Sequence, residues 1–400
     1  MLGNKTIEII KSTAPLIAKL DPEVMAGNFY NRMFVENPEL KDIFNMRHQI
    51  TGDQRKALFN SVVAYALNID NLGALGGTVE KIAQKHTSFR ITKEQYAIVG
   101  ESLLKTIKEL LNPGDEVLEA WKKAYFFLAD IFINREEDIY KFNENKKGGW
   151  RGLKEFKVIE IKEESDFVKS FILSPVDGSV VPGYQDGQYI GVWVNSDDFD
   201  NQEIRQYSLS KSSAADQKFY RISVKKEQYG LVSNHMHKLN VGATLMLTPP
   251  AGDFVLAENA LEKPITFISA GIGITPLLSM FEGILSKHEK SVTWMYCAKN
   301  SKEHSFKEEV SGLISKYPNK VKSFVWYEEP TSLDKKDVDY NFEGLIDLKA
   351  LKETIFENKD NQFYICGPLG FIRFVEAQLL EIGVDKSSLH YELFGPDQII

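Results

Sequence analysis

His86 follows Val79, Ile82 and Ala83 by seven, four and three residues, so on a helix its imidazole joins their apolar face. Imidazole is a common metal ligand, yet a lone His on such a face is more often a core residue with a local partner. Four further positions repeat the pattern. Tyr30 shares a helical face with Ala26, Met33 and Phe34, which turns its hydroxyl inward toward a partner or a ligand. Gln54 and Leu58 lie one helical turn apart and put an amide and an aliphatic group on one face. Glu136 continues the stripe Ala129, Phe132 and Ile133, whereas Glu137 shares its face with Asp130 and Asn134 and is expected to meet solvent. A buried carboxylate is costly unless paired. Each could be a separate core residue, but gathered in one stretch they point to a ligand site.

A second set of residues could handle phosphates. Pro264 to Pro276 reads as a strand, a Gly271-Ile272-Gly273 turn and a helix start. Glycines let the backbone approach a pyrophosphate, and the helix N-terminus offers N–H donors. Thr275 is expected to cap that helix and Pro276 to fill its first position. Alone, the motif is a tight βα turn, and the third glycine of the dinucleotide fingerprint is absent. A second strand-to-turn signal, Tyr364-Ile365-Cys366-Gly367-Pro368, belongs to the same carboxyl edge of a sheet. Upstream, Arg205-Gln206-Tyr207-Ser208 lies on a strand, with Arg205 and Tyr207 on one face and Ser208 on the other. Such residues can neutralise a flavin phosphate, lie along the ring and hydrogen-bond a ring nitrogen. Gly230-Leu231-Val232-Ser233 follows, and Ser233 is expected to cap a helix facing a pyrophosphate.

The elements that must position these residues change character twice. Up to about Asn145 the pattern is helical: Asp21-Pro22 is an N-cap with proline at the first helical position, and Thr92 to Gln95 is a capping box. Lys146 to Gly152 reads as a linker. Alternating β-branched segments follow (Phe156–Ile161, Val168–Leu173, Gln188–Val194, Arg205–Ser210, Tyr220–Val224), the pattern of an antiparallel barrel. From Pro264 apolar strands at Ile265–Ser269, Val292–Tyr296, Phe324–Tyr327 and Phe363–Ile365 alternate with helices, which implies a parallel sheet. The expected domains are residues 1–147, all-α; 148–260, antiparallel β-barrel; and 261–400, α/β. A chain of 400 residues has room for them at about 100–200 residues each.

Composition narrows the function classes. Hydrophobic residues make up 43% and charged residues 26%, ordinary for a globular protein with filled cores. A net charge of -8 without a basic block argues against nucleic-acid partners. The N-terminal residues do not read as a signal peptide, and the longest apolar stretch, Tyr125 to Ile133, is cut by Asp130 and too short to span a bilayer. Cys297 and Cys366 are the only cysteines, which suits a reducing cytoplasm.

The RQYS strand, the GLVS helix start, the GIGITP turn and the CGP turn, in that order, resemble the ferredoxin–NADP reductase family. In the helical part, Asn37 to Met46, Lys81 to Ser88, Glu94 to Tyr96 and Ile98 to Glu101, with the linker Gly148-Gly149-Trp150, resemble flavohaemoglobins. The resemblance covers essentially the whole chain. It implies a globin with a b-type haem, then an FAD-binding barrel, then an NAD(P)H-binding domain. His86 would be the proximal ligand, with Tyr96 and Glu136 in a relay to its Nδ1. Tyr30 and Gln54 would face bound oxygen, Leu58 would restrict the pocket and Phe44 would pack on the haem. Tyr189, Arg205, Gln206, Tyr207, Ser208 and Ser233 would hold FAD. Gly271, Ile272, Gly273, Ile274, Thr275 and Pro276 would hold the NAD(P)H pyrophosphate, with Cys366 near the nicotinamide. Glu392-Leu393-Phe394-Gly395-Pro396 resembles the segment that lays an aromatic, here Phe394, on the flavin. Close relatives often carry Cys where this chain has Leu393.

The activity so implied is a nitric oxide dioxygenase: electrons pass from NAD(P)H through FAD to haem, and NO and O2 become nitrate. Two other functions stay open at this point. One is an NAD(P)H-dependent reductase of peroxides, ferric chelates or quinones, and the other is a haem gas sensor. A lipid acyl chain in the distal pocket is a further partner consistent with the resemblance, and the expected state is a monomer. Cys297-Ala298-Lys299-Asn300-Ser301 has no Arg to clamp a 2′-phosphate, which favours NADH.

Overall fold

The computed structural model describes residues 2–46, 53–356 and 360–395. Two compact units emerge: the helical segment up to Asn145 together with Trp193–Arg205, and Lys146–Val192 together with Gln206–Gly395.

The first unit is built from α1 (Asn4–Ala18), α2 (Pro22–Glu36), α3 (Asp53–Leu67), α4 (Gly76–Phe89), α5 (Lys93–Leu111) and α6 (Asp115–Glu144). Local chemistry sets their ends. Asp21 accepts from Glu23 N at 2.8 Å ahead of Pro22. Thr92 and Gln95 exchange the two hydrogen bonds of a capping box at 2.9 and 3.3 Å. Arg90, at φ 54°, ends α4 in the left-handed region. One apolar core joins α1 and α2 through Ile10, Ala14, Ile17, Phe29 and Met33 to Trp121 and Ala124 of α6. A smaller one gathers Ala83, Tyr96, Ala129, Phe132 and Ile139. Gly100 lets α5 and α6 meet, since a Cβ there would stand 2.4 Å from the Tyr125 ring. The segment 193–205 belongs to this unit because Trp193 Nε1 donates to Ser88 O at 2.9 Å and Gln202 N donates to Asp42 Oδ1 at 2.9 Å.

The antiparallel sheet comprises β1 (Lys154–Ser165), β2 (Val168–Pro175), β3 (Tyr189–Val194), β4 (Glu203–Ser208), β5 (Tyr220–Lys225) and β6 (Thr244–Leu247), in the order β4-β3-β6-β1-β2-β5. A bridge between Leu209 and Ile222 joins the two ends of that order and closes a barrel. Helix α7 (Leu231–Lys238) lies between β5 and β6 in the chain.

The remaining elements are β7 (Ile265–Ala270), α8 (Ile274–Leu285), β8 (Val292–Ala298), α9 (Lys307–Lys316), β9 (Val321–Tyr327), β10 (Phe342–Glu343), α10 (Lys352–Phe356), β11 (Gln362–Gly367), α11 (Leu369–Glu381) and β12 (Leu389–Leu393). Their strands form a parallel sheet in the order β10-β9-β8-β7-β11-β12. The chain winds outward from β7 through β8 and β9, then returns to β11 on the other side of β7. The switch point therefore lies between β7 and β11, the position at whose carboxyl ends open α/β sheets bind ligands. Sequence patterning missed β6, β10 and β12, which are short or polar on alternate residues and gain their strand character from the neighbour they pair with.

Candidate functional site

Helix α4 presents His86 near its C-terminal end, toward α5 and α6. His86 Nδ1 lies 2.7 Å from Tyr96 Oη and 2.9 Å from Glu136 Oε1. Tyr96 Oη donates to the same Oε1 at 2.5 Å. Glu136 is 3% exposed, whereas Glu137 beside it reaches Lys141 on the surface at 3.6 Å. A carboxylate only accepts, so the His86 proton belongs on Nδ1 and the ring lone pair on Nε2. That is the donor set of a metal ligand whose second nitrogen is fixed by a carboxylate. Burial first, then the Glu136 charge, holds the Tyr96 hydroxyl far above the usual phenol range, so it stays a proton donor. Tyr125 Oη pins the Tyr96 carbonyl at 2.7 Å, and Arg135 grips Glu80 through two bonds of 2.6 and 2.9 Å, tying α6 to α4.

Tyr30 of α2 is 4% exposed and sits among aromatic rings, with centroids 4.9 Å from Phe29, 5.8 Å from Phe34 and 5.8 Å from Phe44. Leu58 packs, half-buried, against the same core. Gln54 lies in the first turn of α3, and its side chain falls outside the described residues.

In the barrel, Tyr189 opens β3 and bridges to Ala251. Its ring lies against Gly252, where φ is +114° and a Cβ would stand 2.9 Å from the ring. Gly252 is a positioning residue that the sequence reading missed; its signal was the Pro249-Pro250-Ala251-Gly252 turn. Arg205 pairs with Glu203 at 2.7 Å on the same strand, and Gln206, Tyr207 and the buried Ser208 complete β4. Ser233 does not cap a helix, as the motif suggested. Helix α7 starts one residue after Gly230, so Ser233 is already inside its first turn, donating to Gly230 O at 3.4 Å and accepting from Glu227 N at 3.2 Å.

Thr275, expected to cap the next helix, does not cap it either. Helix α8 begins at Ile274 after Gly273, Thr275 donates to Ile272 O at 3.0 Å, and Pro276 is the third helical residue, not the first. Neither α7 nor α8 carries a side-chain cap. Their leading amides are thus left without a side-chain acceptor, a donor set that fits phosphates. Gly271 has φ +54° with open space where its Cβ would be, while a Cβ on Gly273 would stand 2.3 Å from Cys366 O. The GIG turn therefore nests against β11 at the switch point. Gly271 and Ile272 line a small cleft with Ser165, Lys225, Glu303 and Ser305. Lys225, a cation facing this anion-suited turn, also escaped the sequence reading. Cys366 is wholly buried, and burial raises its thiol well above the usual range, so it packs as a neutral group. Leu393 pairs with Gly367 on β12, and Phe394 beyond it is 45% exposed, followed by Gly395. Pro396 falls outside the described residues.

Comparison with known proteins bears on the whole chain. Residues 27–132 match the Globin family, 155–256 the Oxidoreductase FAD-binding domain and 267–377 the Oxidoreductase NAD-binding domain. A flavohaemoglobin from Malassezia yamatoensis, solved with bound FAD and haem, is 26% identical with a TM-score of 0.86, covering 98% of this chain and 100% of that one. The FAD/NAD-binding domain of a nitric oxide dioxygenase from Vibrio cholerae is 40% identical over 61% of this chain and 99% of its own, with a TM-score of 0.54. The cytochrome b5 reductase domain of an Ulva prolifera nitrate reductase, 20% identical with a TM-score of 0.52 over 60% of this chain and 97% of its own, shares the reductase fold.

Fold and motifs thus define a haem- and flavin-dependent oxidoreductase in which a globin precedes an FAD-binding barrel and an NAD-binding domain. Its cofactors are haem, FAD and a nicotinamide nucleotide. The chain belongs to the flavohaemoglobin family. Among the described residues no helix is long and apolar enough to cross a membrane.

Proposed function

We propose that this flavohaemoglobin is a nitric oxide dioxygenase, converting NO and O2 to nitrate at the expense of NAD(P)H. The observation that carries the reading is the carboxylate of Glu136, buried and within 2.9 Å of His86 Nδ1. Bound haem supplies the redox iron, FAD the change from hydride to single electrons, and the nicotinamide the hydride. The chain's own residues do the rest. His86 would bind iron through Nε2. Glu136 and Tyr96 hold the Nδ1 proton and lend the imidazole anionic character, a donor suited to oxygen activation rather than storage. Tyr30 offers a buried hydroxyl to the O2 substrate, helped by Gln54, with Leu58 and Phe44 shaping the apolar surroundings.

In this reading Tyr189, Arg205, Gln206, Tyr207, Ser208 and Ser233 hold FAD. Gly271 to Pro276 hold the nucleotide pyrophosphate, Cys366 lies near the nicotinamide and Phe394 near the flavin. The domains run 1–147, 148–260 and 261–400. The protein works as a cytoplasmic monomer on small molecules. The test is nitrate formation from NO and O2 with NADH, in the holoprotein and in His86→Ala. Wild type should form nitrate; His86→Ala should not, while still reducing a soluble acceptor such as ferricyanide through FAD. Wild type that reduces ferricyanide but forms no nitrate would overturn the reading.

A further inference from the structure

The segment Ser210–Ser213, directly after the flavin-motif strand β4, is a polar hub. Asp186 accepts from Ser213 N at 2.8 Å, from Ser212 Oγ at 2.8 Å and from Ser279 Oγ of α8 at 3.2 Å. Ser279 Oγ also donates to Lys211 O at 2.9 Å, and Glu282 of α8 accepts from Ser212 N at 2.9 Å and pairs with Lys211. A glycine is needed at 283 for this docking, because a Cβ there would stand 1.8 Å from Asp186 Oδ2. Helix α8 is the helix that begins at the Gly271–Gly273 turn.

Arg221 of β5 completes the hub from below. It is 7% exposed. Its guanidinium holds Glu309 of α9 with two bonds of 2.7 and 3.1 Å. Nε donates to Ser210 Oγ at 3.1 Å, and a terminal nitrogen donates to Ser210 O. Ser210 Oγ shares a hydrogen bond of 2.8 Å with Ser223 Oγ, which shares another of 2.8 Å with Ser170 Oγ, all buried. An ion pair with one partner buried and the other half-buried adds little to stability over an apolar replacement, because desolvation offsets much of the attraction. What a planar, bidentate fork does supply is fixed geometry.

We propose that Arg221 is a positioning residue for transfer from nicotinamide to flavin. Its fork fixes Ser210, two residues past Ser208, against Glu309 of α9, and the residues that follow Ser210, Lys211 and Ser212, are tied to Ser279 and Glu282 of α8, so that the fork anchors the segment through which the flavin strand is held at a fixed distance from the nucleotide turn that heads α8. The proposal rests on the assignment of β4 to FAD and of the Gly271–Gly273 turn to the nucleotide. Arg221→Met keeps the length and the apolar stem but removes the fork; Arg221→Lys keeps a charge.

The test is anaerobic rapid mixing of holoprotein with NADH, read as flavin bleaching and as the long-wavelength charge-transfer absorbance of a nicotinamide stacked on flavin. FAD content, NADH dissociation constant and the isotope effect with 4-deuterated NADH are measured beside it. Misplacing reacting groups by an ångström can cost about a hundredfold. Arg221→Met should therefore lower the limiting flavin-reduction rate by about tenfold or more. The charge-transfer band should weaken, while FAD content stays full and the NADH dissociation constant moves little. Arg221→Lys should recover only part of the rate, since one ammonium cannot hold Ser210 and both Glu309 oxygens at once. If Arg221→Met does not fold, Glu309→Gln and Ser210→Ala make the same measurement. An unchanged limiting rate and band, or a rate that falls only in proportion to lost FAD, would overturn the proposal. Wild type that binds no FAD or is not reduced by NADH would instead strike the cofactor assignment itself.

Discussion

Two carboxylates in this molecule, the buried Glu136 and the half-buried Glu309, are stabilised in opposite ways. Glu136 is met by neutral groups, a tyrosine hydroxyl at 2.5 Å and an imidazole nitrogen at 2.9 Å. Glu309 is met by a permanent cation, the Arg221 fork at 2.7 and 3.1 Å. In the first arrangement hydrogen bonds share the carboxylate with neutral donors, and in the proposed haem site it would polarise His86 toward the iron. In the second the negative charge is cancelled in place, and Glu309 is held below its ordinary range by Arg221 despite the opposing pull of burial. The contrast separates an electronic device from a geometric one. Identical side-chain chemistry serves either purpose, depending on whether the partner can itself donate or lose a proton.

The largest expected effect breaks the first device alone. Glu136→Gln keeps volume and an acceptor but removes the charge. Haem should still bind through His86. The iron–histidine stretching frequency in resonance Raman should fall, the haem reduction potential should rise, and nitrate formation should drop by up to about a hundredfold. Flavin reduction by NADH should be unaffected. Glu309→Gln should do the reverse, slowing flavin reduction and leaving the iron–histidine stretch in place. If Glu137→Gln lowers that stretch and Glu136→Gln does not, the electronic role belongs to the wrong carboxylate.

Tyr30→Phe probes the larger apolar core of the helical unit with a smaller change. The loss of one hydrogen bond to a polarised ligand, about 1.5 kcal/mol, should speed oxygen dissociation by about tenfold. An unaltered dissociation rate, measured by flash photolysis, would remove Tyr30 from the site.

The last test leaves activity aside and concerns the acid stability set by a buried group with neither role. His304 Nδ1 lies 2.9 Å from Tyr327 Oη, and its ring packs at a tilt, centroids 4.7 Å apart, against Tyr296, with Lys307 and Asp339 the charges that act on it. Burial, aided by Lys307, pushes it from 6.5 down to about 3. In that interval the unfolded imidazole takes up a proton that the folded one refuses. The stability it protects is thus complete above pH 6.5 and is lost as the pH falls toward 3, at about 1.4 kcal/mol per unit. His304→Phe should unfold with a shallower acid dependence between pH 6 and 4 in chemical denaturation. Equal slopes for the two proteins would show that His304 is solvated in the folded state.

Much of this was legible in the residues. The choice of Glu136 over Glu137 followed from helical periodicity, because a one-residue step rotates a side chain by more than a quarter turn and carries it from core to solvent. The inward Tyr30, the capping box at Thr92 and the four ordered reductase motifs were legible for the same reason: each is a local pattern with a local cause. The helix starts were less so. Thr275 and Ser233 have the chemistry of caps, but a cap depends on which residue first turns helical. Here the glycines before them, packed against Cys366 and Glu227, start each helix early.

By itself, then, the sequence determined periodicity, motif order and the identity of the acid on the buried face, since these depend on neighbours within a few residues. Only the tertiary structure decided what those groups meet. Arg221 reads as one more charged residue on a strand until Glu309, 88 positions away, closes on its fork. Tyr96 and Glu136, 40 positions apart, become a single proton-holding pair only where α5 crosses α6. Such pairings follow from packing between distant elements, and a linear pattern carries no distance between them.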